Sequence, residues 1–201
     1  MRNSRRILIM HAMRHMAVLA EETEALDQDI ATLIRDANLI EAYELLQTIP
    51  GIKSQAAATI LAESGPDMKQ FPTNAKFSSG SGVAPGNNES AGKRKRAPAM
   101  KGNPHIKTAL VEAAWSAAHT KRSEFEDRYR RLVPRIRHKR AVVATAHLLS
   151  LRVHQVLDSR TSYQPKTGTL TPLAAKRLVR HHTHRVNYFK RWLNNEERGP
   201  T

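Results

Sequence analysis

No cysteine occurs among the 201 residues. Its absence excludes a disulfide framework and any thiolate-held zinc, and a reducing compartment is the easiest setting. Long apolar runs are missing too. The first of note, Ile7 to Met10, falls far short of the roughly 20 apolar residues that a bilayer span needs. The N-terminal MRNSRRILIMHAMRHMAVLAEE has the basic start and small residues of a secretory signal. His11, Arg14 and His15 interrupt its apolar stretch, however, and acidic helical sequence follows directly, so it is not read as one. Negative charge is the other scarcity. Lys and Arg number 33 against 18 Asp and Glu, a net charge of +15. Repulsion of that size is offset by a polyanionic partner, and nucleic acid is the first to consider.

The acids present are unevenly placed. Eight of the eighteen lie between Glu21 and Glu44, whereas none lies between Glu89 and Glu112. Along the acidic stretch Met16, Leu19, Thr23, Leu26, Ile30, Leu33, Ala37 and Ile40 follow alternating steps of three and four, the spacing of a coiled-coil seam. This predicts one long helix from Ser4 to about Ala42, within an arm spanning 1–44. Such an arm either joins copies into a homo-oligomer or folds back on its own domain.

Tyr43 to Ser64 reads as two short helices about a Pro50-Gly51-Ile52 turn, the pattern of a helix-hairpin-helix. In that motif glycine lets the backbone approach a phosphate, and free amides at the second helix donate to it. Gly51, Lys53 and Ser54 are the candidate contacts; the alternative is a merely structural αα-hairpin. Beyond it Phe71 and Phe77 are candidate core anchors.

The stretch Gly82 to Trp115 is a Gly/Pro/Asn-rich loop, a basic run and then an apolar-periodic helix. Its candidate nucleic-acid contacts are Lys93, Arg94, Lys95, Arg96, Lys101, Asn103 and Lys107. Lys101-Gly102-Asn103-Pro104 signals the start of a helix over His105–Thr120, with Ile106, Ala109, Leu110, Ala113, Ala114 and Ala117 on one face. A charged amphipathic helix over Arg122–Leu132 turns Phe125, Tyr129 and Leu132 inward, and Pro134 is expected to break or restart it. Arg137–Leu157 is the most apolar helix and the expected core element. Arg128, Arg130, Arg131, Arg135, Arg137, Lys139 and Arg140 either line a nucleic-acid groove or form a solvated face. After Tyr163 a linker leads to a basic tail. His181, His182 and His184 there lack a nearby acidic partner and do not share a helix face, so no metal is assigned to them.

One serine in the basic stretch stands where chemistry is plausible. A serine hydroxyl attacks a phosphodiester only when a base removes its proton and the developing charge is neutralised. Ser90 is followed by Ala91-Gly92 and four cations. That setting suits a phosphoryl-transfer nucleophile, and equally a serine that merely binds phosphate.

The ordered series LLQTIPGIKSQAAATILAE, FPTNAKF, GVAPGNNESAGKRKR, KGNPHIKTALVEAAW and HKRAVVATAHLL resembles the C-terminal transposase domain of the IS one-ten insertion-sequence family, over about Arg5 to Tyr163. The resemblance implies a bridge-RNA-guided serine recombinase. Its motif serine falls on Ser90 and becomes joined to DNA during strand exchange. Its RuvC-like half, whose acids hold magnesium, shares a composite site with this domain. This chain shows no RuvC-like half, so no cofactor is expected here and magnesium only together with such a half. Family members typically carry a helix with a tryptophan where Phe77–Gly82 stands, and Gly80 is expected to loosen the packing beneath the Ser90 loop, at about 1 kcal/mol for a helical glycine. Ala97-Pro98-Ala99 also interrupts what is usually a more basic lead into KGN.

The expected fold is all-α: an arm over 1–44, a transposase C-terminal domain over 45–163 and a basic, disordered tail over 164–201. The expected protein binds DNA and a guide RNA in the bacterial cytoplasm, at the nucleoid, and takes part in DNA transposition as an enzyme incomplete alone. The alternatives are a truncated, non-catalytic nucleic-acid-binding remnant and a basic assembly protein built on its coiled coil.

Overall fold

The computed structural model describes residues 2–86, 89–90, 93–94, 99–165 and 183, with the backbone alone at 2–3, 89–90 and 93–94. The chain divides into two compact units, 1–164 and 165–201. The architecture below is that of the first; His181, His182 and His184 lie outside the described residues. Among the described residues the unit is helical throughout, apart from one two-residue ladder and a single isolated bridge. The helices are α1 (Arg2–Asp36), α2 (Ile40–Gln47), α3 (Ser54–Ser64), α4 (Asn74–Gly80), α5 (Pro104–His119), α6 (Glu124–Ile136) and α7 (His138–Ser159).

α1 is shorter than its apolar seam suggests. Ala37 and Ile40 continue the spacing, yet the helix stops at Asp36 because Asn38 takes a left-handed φ of 53°. Asn adopts that conformation more readily than other side chains. The Leu39 amide then donates to the Ile34 carbonyl at 2.9 Å and the Asn38 amide to Arg35 at 3.0 Å. These two bonds make a Schellman stop, which satisfies carbonyls that the helix end would otherwise orphan. The expected single helix to Ala42 is therefore two, α1 and α2. Every residue from Ser4 to Leu33 is exposed, so the arm does not fold back. Among the described side chains of α1 only Ile34 is buried, and its carbonyl accepts from the half-buried Leu39.

α7 is the core element, as its composition predicts. Val142, Ala146, Leu149, Val153, Val156 and Leu157 recur at helical spacing and are buried, with α4, α5 and α6 packed around them. Each fully buried Val, Leu or Phe side chain contributes about 1.5–3 kcal/mol. Phe77 on α4 is fully buried and meets the half-buried Phe71 edge-on, ring centres 5.2 Å apart. Polar groups in this core are paired. Ser78 and Ser150 share a hydrogen bond of 2.7 Å, and His154 donates from Nε2 to the Phe71 carbonyl at 2.8 Å.

α6 departs from expectation at Pro134, which lies inside the helix and does not break it. Proline cannot donate to the carbonyl four residues back, but here it sits in the exposed last turn, where little helix remains to disrupt. The stop comes at Arg137, with a left-handed φ of 66°. Phe125 is fully buried, whereas Tyr129 and Leu132 are only half-buried. At the other end of α6, Arg152 grips Glu124 with two bonds of 2.6 Å, and Tyr163 donates to the same carboxylate at 2.8 Å. Burial, then that hydrogen bond, push the Tyr163 phenol well above its usual range, while the bond to Glu124 raises the Arg152 guanidinium. This cluster ties the last residues of the unit to α6 and α7.

Candidate functional site

The expected irregular loop around Ser90 is in part a paired hairpin. β1 (Glu89–Ser90) runs antiparallel to β2 (Lys93–Arg94), with Glu89 opposite Arg94 and Ser90 opposite Lys93. Two residues separate the strands, the spacing of a tight hairpin. Farther down, Pro85 bridges Ala99 and the Met100 amide donates to the Ala84 carbonyl at 3.0 Å. The serine and the first two cations of the basic run thus share one ladder; Lys95 and Arg96 lie outside the described residues.

Three glycines seat the base of this hairpin. A Cβ on Gly102 would meet the Gly82 nitrogen and Gly80 carbonyl, and stand 2.7 Å from the Gly82 Cα. The two backbones therefore cross in direct contact, which no other residue type allows at Gly102. Gly80 is the last residue of α4, and its carbonyl accepts from the Asn103 amide at 2.8 Å. At Gly80, which was expected to loosen this region, a helix forms over Asn74–Gly80 and an added Cβ would stand 3.3 Å from the Phe71 ring.

Asn103 joins this crossing to α5. Its Oδ1 accepts from the amides of His105 and Ile106 at 2.8 and 3.2 Å, and its Nδ2 donates to Glu63 on α3 at 2.6 Å. Both ends of the side chain are engaged within the protein, so its clearest work is to cap α5. Lys101 is exposed nearby and Lys107 half-buried.

The turn between α2 and α3 gives a divided result. Gly51 has a φ of +89°, but the space its missing side chain leaves is filled by α5: a Cβ would meet the Ala113 carbonyl and lie 2.7 Å from both the nitrogen and the Cβ of Ala117. Glycine is required here by helix packing, whatever else it permits. Lys53 and Ser54 are exposed, and no side chain caps the start of α3. Its first-turn amides are the donors that a helix end leaves without intrahelical partners. An open groove of about 500 Å³ runs between α3 and α5, with Lys53, Gln55, His105 and Glu112 among its lining residues.

The basic cluster also divides. Arg128 is half-buried and its Nε donates to the Ala144 carbonyl at 3.1 Å. Burial and then the nearby Arg131 lower its pKa from the usual guanidinium value. Arg130 is engaged with Glu126 at 2.7 Å. Arg131, Arg135, Arg137, Lys139 and Arg140 are exposed and remain available to a polyanion. Sequence reasoning assigned nothing to Trp115, His119 and His138, which the fold gathers with Tyr129 at the surface. The Trp115–His119 spacing of four was the one visible sign, since it places both on one helix face.

Fold and site together define a basic helical protein that presents a hairpin-borne serine. Residues 43–130, somewhat less than half of the chain, match the family described as Transposase IS116/IS110/IS902 family. The matched stretch runs from α2 through the hairpin into α6, so it contains Ser90, the glycine crossing and the α3 start. Over these residues the chain is similar to transposases of insertion sequences. No curated protein matches it.

Proposed function

We propose that this chain is the serine-bearing half of a transposase of the IS one-ten kind, which binds DNA and a guide RNA and uses Ser90 as its nucleophile. The observation that carries this reading is that the transposase-family match spans the hairpin in which Ser90 pairs with a cationic strand. In the proposed step the Ser90 hydroxyl loses its proton to a base and its oxygen bonds to phosphorus. The old phosphorus–oxygen bond breaks, the leaving DNA hydroxyl takes up a proton, and a phosphoserine linkage to DNA remains. Lys93, Arg94 and Arg96 offset the charge that develops on the phosphate, since cations aimed at developing charge lower the barrier.

Contacts to the DNA backbone fall to Lys53, Ser54 and the first-turn amides of α3, with Arg131, Arg135, Arg137, Lys139 and Arg140 as a broader basic surface. Such contacts set register and orientation and carry no sequence information directly, which suits a protein whose target is chosen by RNA pairing. Magnesium belongs to the RuvC-like half in this reading. Among the described residues no three acids or histidines converge to hold an ion.

The arm supports assembly. α1 has 35 residues, about 52 Å of helix, and leaves Met16, Leu19, Leu26, Ile30 and Leu33 exposed. A helix of that kind gains little stability by itself and most by burying its stripe. In the proposed protein it joins copies of the chain. Among the described residues no helix is long and apolar enough to cross a membrane.

The experiment is a titration of the purified chain against labelled duplex DNA over a range of salt. Binding should weaken with a slope of log K on log salt of roughly −0.9 for each phosphate neutralised. Affinity that is flat between low and moderate salt would contradict the phosphate-contact reading.

A further inference from the structure

Where the end of α5, the middle of α6 and the start of α7 meet, four ring side chains gather at the surface. Trp115 is 44% exposed, although it is one of the largest apolar side chains in the chain. His119, His138 and Tyr129 lie around it with ring centres 4.1, 4.7 and 6.1 Å away and planes inclined by 74°, 80° and 80°. None of the three is parallel to the indole, so no ring among the described residues stacks plane-to-plane on it.

The rings are also held in place. His119 Nδ1 lies 2.7 Å from the Trp115 carbonyl, which can only accept, so Nδ1 carries the hydrogen. The Tyr129 hydroxyl is hydrogen-bonded to His138 Nδ1. A half-uncovered indole flanked by hydrogen-bonded rings has less side-chain freedom to lose when something settles on it, which favours binding.

The rim is cationic. Lys121 and Arg122 follow His119, and Arg137 and Lys139 flank His138; all four are exposed. No carboxylate occurs in 113–123 or 128–157. The acids nearest in sequence are Glu112, exposed one turn before Trp115, exposed Asp127, and Glu126, which is engaged by Arg130 and by the Arg122 amide, so cations outnumber free carboxylates here. An exposed aromatic plane with cations on the segments beside it is the chemistry that takes a nucleobase on the plane and its phosphates on those cations.

We infer that Trp115, supported by His119, Tyr129 and His138, is a stacking platform for an unpaired base of single-stranded nucleic acid. The inference rests on the nucleic-acid reading above but names a different ligand: a base released from its duplex, where the phosphate contacts need only a backbone. A fully paired duplex keeps its bases stacked and should not engage the platform.

The test uses the full chain carrying W192F, which leaves Trp115 as the sole tryptophan. Its emission is followed during titration with oligothymidylate, oligouridylate and a duplex of equal length. Quenching by either single strand and not by the duplex is expected, and the stronger of the two identifies whether DNA or RNA supplies the base. W115A should weaken single-strand binding about tenfold or more while duplex binding is kept, and W115F should recover most of the loss. Unchanged emission at saturation overturns the inference, as does a W115A chain that binds single strands like its parent. Quenching requires no change at Trp115, so the test stands even if alanine unfolds the chain. Salt-sensitive duplex binding with no Trp115 effect would remove the platform and leave the phosphate reading intact.

Discussion

Replacing Gly51 with alanine separates two uses of this glycine, and the structure sets the size of the effect. A left-handed φ of +89° costs an L-residue about 1–2 kcal/mol. The new Cβ must also displace α5, since it would stand 2.7 Å from two atoms of Ala117 and meet the Ala113 carbonyl. The obstacle is largely helix backbone, which cannot swing aside as a flexible side chain does. Overpacking of this kind adds about 1–3 kcal/mol. The sum is about 2–5 kcal/mol, read as a lower midpoint in urea unfolding followed by circular dichroism. A G51N variant sharpens the test, because asparagine tolerates the left-handed region but brings the same Cβ. If packing against α5 is the demand, G51N is destabilised nearly as much as G51A. A loss below about 1 kcal/mol in both, with DNA affinity falling instead, would refute the packing argument and return Gly51 to phosphate binding alone.

Other consequences follow from the core and the arm. Arg152 and Glu124 have side chains only 11% and 13% exposed, and R152M, by removing one partner, should cost about 3–5 kcal/mol in thermal or urea unfolding. An R152K chain of full stability would show that the forked geometry is unimportant. Burial and then the neighbouring Arg128 hold the His147 pKa below its usual value of 6.5. The unfolded chain therefore binds more protons below that pH, so stability is full above about 6.5 and declines as pH falls. H147Q should flatten this acid limb in unfolding curves taken from pH 7 to 5, and an unchanged slope would exclude the residue as its source. Removing residues 1–36 should lower the oligomeric state in sedimentation velocity; an unchanged state would exclude assembly through the arm.

Legibility in the sequence followed how local the cause was. α5 could be read to within a residue because its start, Asn103-Pro104, and its apolar face are both local signals. α7 was visible for the same reason. The end of α1 was hidden, since Ala37 and Ile40 extend the seam in sequence while Asn38 turns the chain away. Pro134 was given too much weight because a proline's damage depends on how many turns follow it. Gly80, Gly82 and Gly102 were opaque: their constraint is a contact between segments twenty residues apart, and only the fold reveals it. Ser90 itself was legible as a serine among cations, but its ladder with Lys93 was masked by a composition that reads as loop. The ring cluster at Trp115 draws on three helices, so only the Trp115–His119 pair left a trace in sequence.

The most direct measurement is a search for a covalent protein–DNA adduct. The purified chain is incubated with labelled donor DNA, with and without a separately supplied RuvC-like half, and resolved under denaturing conditions. A labelled band that appears with the added half and vanishes in S90A is the expected result. No Ser90-dependent adduct under either condition, in a chain that still binds the DNA, would contradict Ser90 as the nucleophile.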